Sequence, residues 1–220
     1  MAGNRLIPNQ LILGNKTFSS WSLRGWLAVR QSGIAFEEVV IPLRKPETRS
    51  EILKHSPAGK VPTLILEGET VWDSLAIAET LAERCPDRGL WPADPRARRL
   101  ARCVTAEMHA GFAKLRDALP MDLSQQFPDH PISPEVQADI DRIQAIWRDC
   151  RAGHGAGGDF LFGGFCIADA FYAPVVTRFA TYDVPLDAVC AAYCTAVMES
   201  PWMKEWSAAA AEETEVIVFD

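Results

Sequence analysis

Several signatures are missing from this chain, and each absence removes a class of function. Six cysteines are present (Cys85, Cys103, Cys150, Cys166, Cys190 and Cys194), but no Cys-x-x-Cys pair occurs and no Cys/His spacing suits a zinc site. They read as buried free thiols, with no metal implied. No apolar run is long enough to span a bilayer, and Met1–Gln10 lacks the apolar stretch of a leader peptide, so the expectation is a cytoplasmic protein with no membrane partner. The net charge is −7 without long runs of one sign, which argues against a nucleic-acid partner. No G-x-S-x-G elbow is found. Gly153-His154-Gly155-Ala156-Gly157-Gly158 matches the G-x-G-x-x-G spacing. It follows a helical pattern instead of a strand and leads into Asp159-Phe160-Leu161-Phe162, so it reads as a flexible loop and not as a dinucleotide cradle.

What is present divides into two unlike parts. An apolar content of 48% over 220 residues supplies a substantial core. Leu11–Leu13 is a short strand candidate. Ser22–Ser32 follows as a helix with Leu23, Trp26 and Leu27 at core spacing, stopped by Gly33. Phe36–Pro42 reads as a second strand, and Arg44–Lys54 as a polar helix or loop. Thr63–Glu67 and Glu69–Trp72 form a hairpin turning at Gly68, and Ser74–Cys85 is a helix. Pro86 ends it, and turn residues run to Pro95. Thereafter helical patterns dominate: Arg96–Leu119 as one long helix, Glu135–Arg151, Ile167–Thr181, Asp187–Glu199 and Pro201–Ala211. Glu215–Phe219 is the only later strand candidate. The expected organisation is therefore an α/β domain over 8–87, a linker over 88–95 and an all-helical domain over 96–220.

The most informative block runs from Gly59 to Ile77. Proline removes a backbone donor and pushes the preceding residue into extended geometry. The Val61 amide and carbonyl are thus left free to pair with another chain. Asp73-Ser74 opens a helix, where free N–H groups favour an anion. A strand-like edge beside an anion cradle suits an extended peptide carrying a carboxylate.

This block resembles the glutathione-binding half of the cytosolic glutathione transferases, a thioredoxin-like domain with a cis-proline in a Val-Pro pair. Ser19-Ser20-Trp21-Ser22-Leu23-Arg24 resembles the Ser-Ser-Cys-Ser-x-Arg signature of the zeta-like, serine-type members, here of bacterial kind. Gly163-Gly164-Phe165-Cys166-Ile167-Ala168-Asp169-Ala170-Phe171 resembles the core motif of the family's helical domain. There Cys166 would cap a helix with Asp169 three residues on, a structural role.

The resemblance implies glutathione as co-substrate, a small hydrophobic electrophile as second substrate, and a homodimer. A cysteine thiol ionises near about 8.5, and a hydroxyl or a helix N-terminus lowers that value. By motif position Ser19, with Ser20 second, is the hydroxyl that would steady the thiolate; an N-cap role is the alternative for either. The Val61 backbone, beside Pro62, would pair with the cysteinyl part. Ser74 would take the γ-glutamyl carboxylate, Asp73 the γ-glutamyl ammonium and Lys60 the glycyl carboxylate. Trp21 stands where the zeta pattern has cysteine. Its ring would wall the sulfur site, a departure that counts against maleylacetoacetate isomerase activity. Arg24 is read as facing the site or as a salt-bridge residue at the surface or between the domains. The electrophile is expected between the halves, with Met108, His109, Phe112 and Arg116 on successive turns of the long helix. An isomerase or a dehalogenase on the same scaffold, or a glutathione-binding regulatory protein without turnover, are the rival readings. The lack of cysteine at 19 or 20 disfavours disulfide-reductase chemistry.

Overall fold

The computed structural model describes residues 8–217. Four short strands form one mixed sheet in the order β2-β1-β3-β4: β1 (Gln10–Leu13), β2 (Glu37–Val40), β3 (Thr63–Leu66) and β4 (Glu69–Val71). β1 runs parallel to β2 and antiparallel to β3, and β3–β4 is the expected hairpin. Three helices accompany the sheet: α1 (Ser20–Ser32), α2 (Thr48–Leu53) and α3 (Ser74–Arg84). The rest is helical: α4 (Pro95–Ala110), α5 (Ala113–Ala118), α6 (Pro134–His154), α7 (Ile167–Thr181), α8 (Ala188–Glu199) and α9 (Pro201–Ala211). This is a thioredoxin-like α/β unit followed by an all-α bundle.

Local chemistry explains the ends of these elements. α1 begins at Ser19, whose Oγ accepts from Ser22 N, and stops at Gly33, whose φ of 75° suits a residue without Cβ. Asp73, Asp94, Ser133, Asp187 and Ser200 cap α3, α4, α6, α8 and α9 in the same way. Cys166 and Asp169 form the reciprocal box at the start of α7. Asp169 is fully buried and accepts from Leu161 N at 3.0 Å and Cys166 N at 2.8 Å.

Three expectations fail in whole or in part. The pattern over Arg96–Leu119 is two helices. Gly111 ends α4 in extended geometry, and Phe112 takes a left-handed φ of 57° before α5 starts. A Cβ at Gly111 would lie 2.7 Å from the Glu107 carbonyl oxygen, so this close turn requires glycine. Arg116 Nη1 then reaches back to the carbonyls of Met108 and His109, and Asp139 accepts from Leu115 N at 3.0 Å, so both sides of the break find partners. Residues 215–217 carry no strand, and Val218 and Phe219 lie outside the described residues. Cys103 is likewise exposed, while Cys150, Cys166 and Cys190 are buried. Burial pushes the Cys150, Cys190 and Cys194 thiols up to about 12, which leaves them protonated and unreactive.

The two parts are packed into one another. Leu23, Trp26 and Leu27 of α1 join a buried cluster that continues through α7 to Trp147, whose ring meets Tyr172, Phe179 and Tyr193 at 4.9–5.9 Å. Polar links cross the same boundary. Gln31 Nε2 donates to Phe165 O at 2.8 Å, and Trp206 Nε1 donates to Lys16 O at 3.0 Å. Among the described residues no helix is long and apolar enough to cross a membrane.

Candidate active site

The Val61–Pro62 peptide is cis. It sits against α1 because Gly25 has no side chain there; a Cβ would lie 2.7 Å from Pro62 Cγ. Thr63 and Leu64 of β3 are buried beside it. On the other side of the hairpin, α3 presents its N-terminus. Asp73 caps it through a 3.0 Å bond from Leu75 N. Ser74 is completely buried, and its Oγ has no hydrogen-bond partner. A buried hydroxyl without a partner costs free energy, so a polar group entering beside Ser74 would gain a hydrogen bond from this oxygen.

These pieces surround one open cavity of about 510 Å³, lined by Trp21, Ala58, Lys60, Val61, Pro62, Trp72, Asp73, Ser74 and His109. Trp21, Lys60, Val61, Pro62, Asp73 and Ser74 therefore line one cavity, whereas Ser19 and Ser20, expected at the thiol, are not among its lining residues. The expected electrophile residues do not come together. His109 lines this cavity, whereas Met108 and Phe112 are buried in the core. Arg116 is folded back onto α4 and lies over the Trp21 ring at 5.4 Å. The break after α4 takes these four residues off a common face.

His109 joins the two parts of the chain across the cavity. Its Nε2 is 3.3 Å from Asp73 Oδ2, its ring meets the Trp21 ring edge-on at 5.4 Å, and its buried Nδ1 has no partner. Trp21 is further held by Arg24, whose guanidinium lies 4.6 Å from the ring centroid. Sequence reasoning missed Ala58 and Trp72. Trp72 had a visible signal, a large aromatic directly before the helix cap; it is 45% exposed.

Ser19 and Ser20 stand at the start of α1, both nearly buried. The Ser19 Oγ is 2.8 Å from Ser22 Oγ, which also accepts from Gly14 N at 2.9 Å. Ser20 is gripped by two arginines: Arg24 Nη1 donates to its carbonyl at 3.3 Å and Arg178 Nη2 to its Oγ at 3.4 Å. Arg24 is no surface salt bridge. It is fully buried, and its Nε donates to Phe171 O at 3.0 Å across the boundary between the two parts. Burial, then the nearby Arg178 and Arg116 charges, push the Arg24 guanidinium downward. Burial and Arg116 bring Arg178 down to about 10, still protonated at neutral pH. Among the described residues these guanidiniums form no ion pair with a carboxylate, so a region of positive charge lies beneath the α1 N-terminus, and both favour an anion there.

The loop before Ser19 is fixed from the far end of the chain. The Glu213 carboxylate accepts from Lys16 N at 2.6 Å and Thr17 N at 2.9 Å, and Thr17 Oγ1 donates to Ala210 O. Among the described residues, no group of three or more His, Cys, Asp or Glu side chains is arranged to hold a metal.

Comparison with known proteins bears on the same region. Residues 18–84 match the family model "Glutathione S-transferase, N-terminal domain". A probable maleylacetoacetate isomerase of Caenorhabditis elegans is 34% identical over 104 residues, 47% of this chain and 48% of that protein. A zeta class glutathione S-transferase of Euphorbia esula is 29% identical over 171 residues, 73% of this chain and 74% of that one. The chain spans about half the length of the first curated relatives it matches, 48% and 51%. A glutathione transferase homolog from Burkholderia GL BGR1, solved with bound glutathione, superposes with a TM-score of 0.72 at 21% identity, covering 94% of this chain and all of that one. At that identity the likeness is one of fold.

Proposed function

We propose that the chain is a glutathione transferase, an enzyme that binds glutathione in the Val61–Ser74 cavity, stabilises its thiolate and transfers it to a small hydrophobic electrophile. The observation that carries this reading is the meeting of the Val61–Pro62 edge and the unpartnered Ser74 Oγ at the α3 N-terminus in one cavity. An extended peptide ending in an α-amino acid group matches that pair of features. The peptide backbone pairs with Val61, and the γ-glutamyl carboxylate meets Ser74 Oγ and the free N–H groups of α3. Asp73, 58% exposed at its side chain, faces the ammonium, and Lys60 the glycyl carboxylate. The match of residues 18–84 to a glutathione S-transferase N-terminal domain supports the same assignment.

In this mechanism Ser19 supplies the hydroxyl. Ser22 N–H holds its oxygen, so its proton can turn from Ser22 Oγ to sulfur without loss of the cap. Ser20 is the neighbouring candidate, its Oγ accepting from Arg178. The α1 N-terminus and the buried Arg24 and Arg178 charges favour the thiolate over the thiol. The bound electrophile then reacts with a nucleophile already ionised and already in place. A homodimer and a cytoplasmic setting belong to the same reading.

Calorimetric titration with glutathione, together with the ultraviolet absorbance of its thiolate, tests the proposal. Binding with thiolate formed near neutral pH is the expected result; absence of binding refutes it, and binding without thiolate leaves a carrier. A second reading, glutathione-dependent isomerisation, is favoured by the likeness to a probable maleylacetoacetate isomerase. It is told apart by stoichiometry, because an isomerase does not consume glutathione.

A further inference from the structure

His109 stands in the last turn of α4, just before Gly111 and the left-handed Phe112 break the helix. Its carbonyl oxygen, left without the next turn, accepts from Arg116 Nη1 at 3.4 Å. The side chain, 23% exposed, reaches from the helical part of the chain into the cavity beside Asp73 and Ser74. Trp21 meets its ring edge-on at 5.4 Å and Phe171 packs at 6.0 Å, so the imidazole has little room to turn. Its Nδ1 is buried without a partner. The single proton of the neutral ring therefore belongs on Nε2, 3.3 Å from Asp73 Oδ2.

We infer that His109 is a positioning residue for the tripeptide and not for the electrophile: it holds Asp73 Oδ2 from across the boundary and so sets a preference for a ligand with a free α-ammonium group. The inference rests on the proposed transferase reading and names what one further residue does in that site.

Among the residues lining the cavity, Asp73 is the one carboxylate. The Trp21 ring, a possible seat for a cation, already has the Arg24 guanidinium at 4.6 Å and that of Arg116 at 5.4 Å. An ammonium entering here finds its anionic partner in Asp73. That carboxylate has two duties. Its Oδ1 accepts from Leu75 N at 3.0 Å and caps α3, while its Oδ2 is the oxygen that faces His109. The side chain is 58% exposed, so packing does little to orient it and these two contacts set its direction. A neutral imidazole donates without cancelling the carboxylate charge. The ammonium thus meets a full negative charge already in place, which strengthens the bond and reduces the ordering that binding requires.

The probes are glutathione and glutaryl-cysteinyl-glycine, the same tripeptide with hydrogen in place of the α-amino group, titrated calorimetrically into the full chain. The wild type should prefer glutathione about tenfold or more, the scale of a hydrogen bond between charged groups. His109→Phe should cut that preference several-fold by weakening glutathione alone. His109→Gln, whose amide can still donate, should restore most of it. Asp73→Asn should abolish the preference, and His109→Phe added on that background should change it no further. Equal weakening of both ligands by His109→Phe would reveal a purely structural role and overturn the inference, as would an unchanged ratio. Where His109→Phe does not fold, His109→Asn, polar but too short to reach Asp73, gives the same comparison. Binding of both tripeptides by the wild type with no preference would overturn this inference alone. Failure to bind either would overturn the transferase reading, and the inference with it.

Discussion

The Ser19 hydroxyl oxygen lies 2.8 Å from the Ser22 hydroxyl oxygen, and the Ser22 backbone N–H points at Ser19 Oγ from 3.3 Å. One side chain thus caps the helix and remains within a proton's reach of a partner. The cap and donor readings of Ser19, which the sequence presents as alternatives, are compatible in this geometry.

Replacing that oxygen separates the two roles. Ser19→Ala should raise the pKa of bound glutathione's thiol and lower kcat/KM by about a hundredfold, the usual scale for losing a donor to a developing anion. It should also cost about 1 kcal/mol of stability through the lost cap. Thiolate absorbance against pH measures the first effect and chemical denaturation the second. If only stability changes, Ser20 takes over the donor role.

Ser74→Ala should weaken glutathione about tenfold or more, because a hydrogen bond to a charged group contributes about 1.5–3 kcal/mol. Stability should barely move, since Ser74 Oγ has no internal partner and Asp73 performs the capping. Calorimetry beside a melting curve reads both. Unchanged affinity would remove the anion cradle from the mechanism.

Asp169 predicts a pH dependence unrelated to catalysis. Burial raises its carboxyl to about 6 despite the N–H groups of Leu161 and Cys166, which act the other way. The unfolded chain titrates near about 3.9, so between roughly pH 4 and pH 6 the folded state binds more protons than the unfolded one. This group therefore makes stability fall as pH rises through that window, by up to a few kcal/mol. Denaturation midpoints measured from pH 4 to pH 7 should show the decline in the wild type. Asp169→Asn should flatten this component while lowering stability overall, because an amide cannot accept both N–H bonds as the carboxylate does.

Glu213 ties the end of the chain to the loop that precedes Ser19. Glu213→Ala should cost about 1.5–3 kcal/mol, the scale of charge-assisted hydrogen bonds to two otherwise orphaned N–H groups. Limited proteolysis should then cut sooner near Lys16 and after Ala211. An unaltered digestion pattern would show that the loop holds its place without this contact.

The sequence carried the α/β unit, and the reason is local. Proline at 62, glycine at 68 and the Asp73-Ser74 pair constrain the backbone of their own neighbours, and β3, β4 and α3 follow within a residue or so of the expected limits. The same locality made the Trp21, Lys60, Val61, Pro62, Asp73 and Ser74 set legible, since most of it lies on one hairpin and one helix start. The break at Gly111–Phe112 was less legible. A glycine stood there as a signal, but the apolar spacing continued through it, and the turn is held by Arg116 and Asp139 from further along the chain.

Alone, the sequence determined which segments pair and which helix ends can receive an anion, because those depend on φ restrictions and side chains a few residues apart. Tertiary structure decided what enters the site from a distance. It brought His109 to Asp73, Arg178 to Ser20 and Glu213 to the Lys16–Thr17 amides. Such contacts join residues tens to hundreds of positions apart. They are fixed by how α4, α7 and α9 pack on α1, where buried volume and polar satisfaction outweigh any pattern between neighbours.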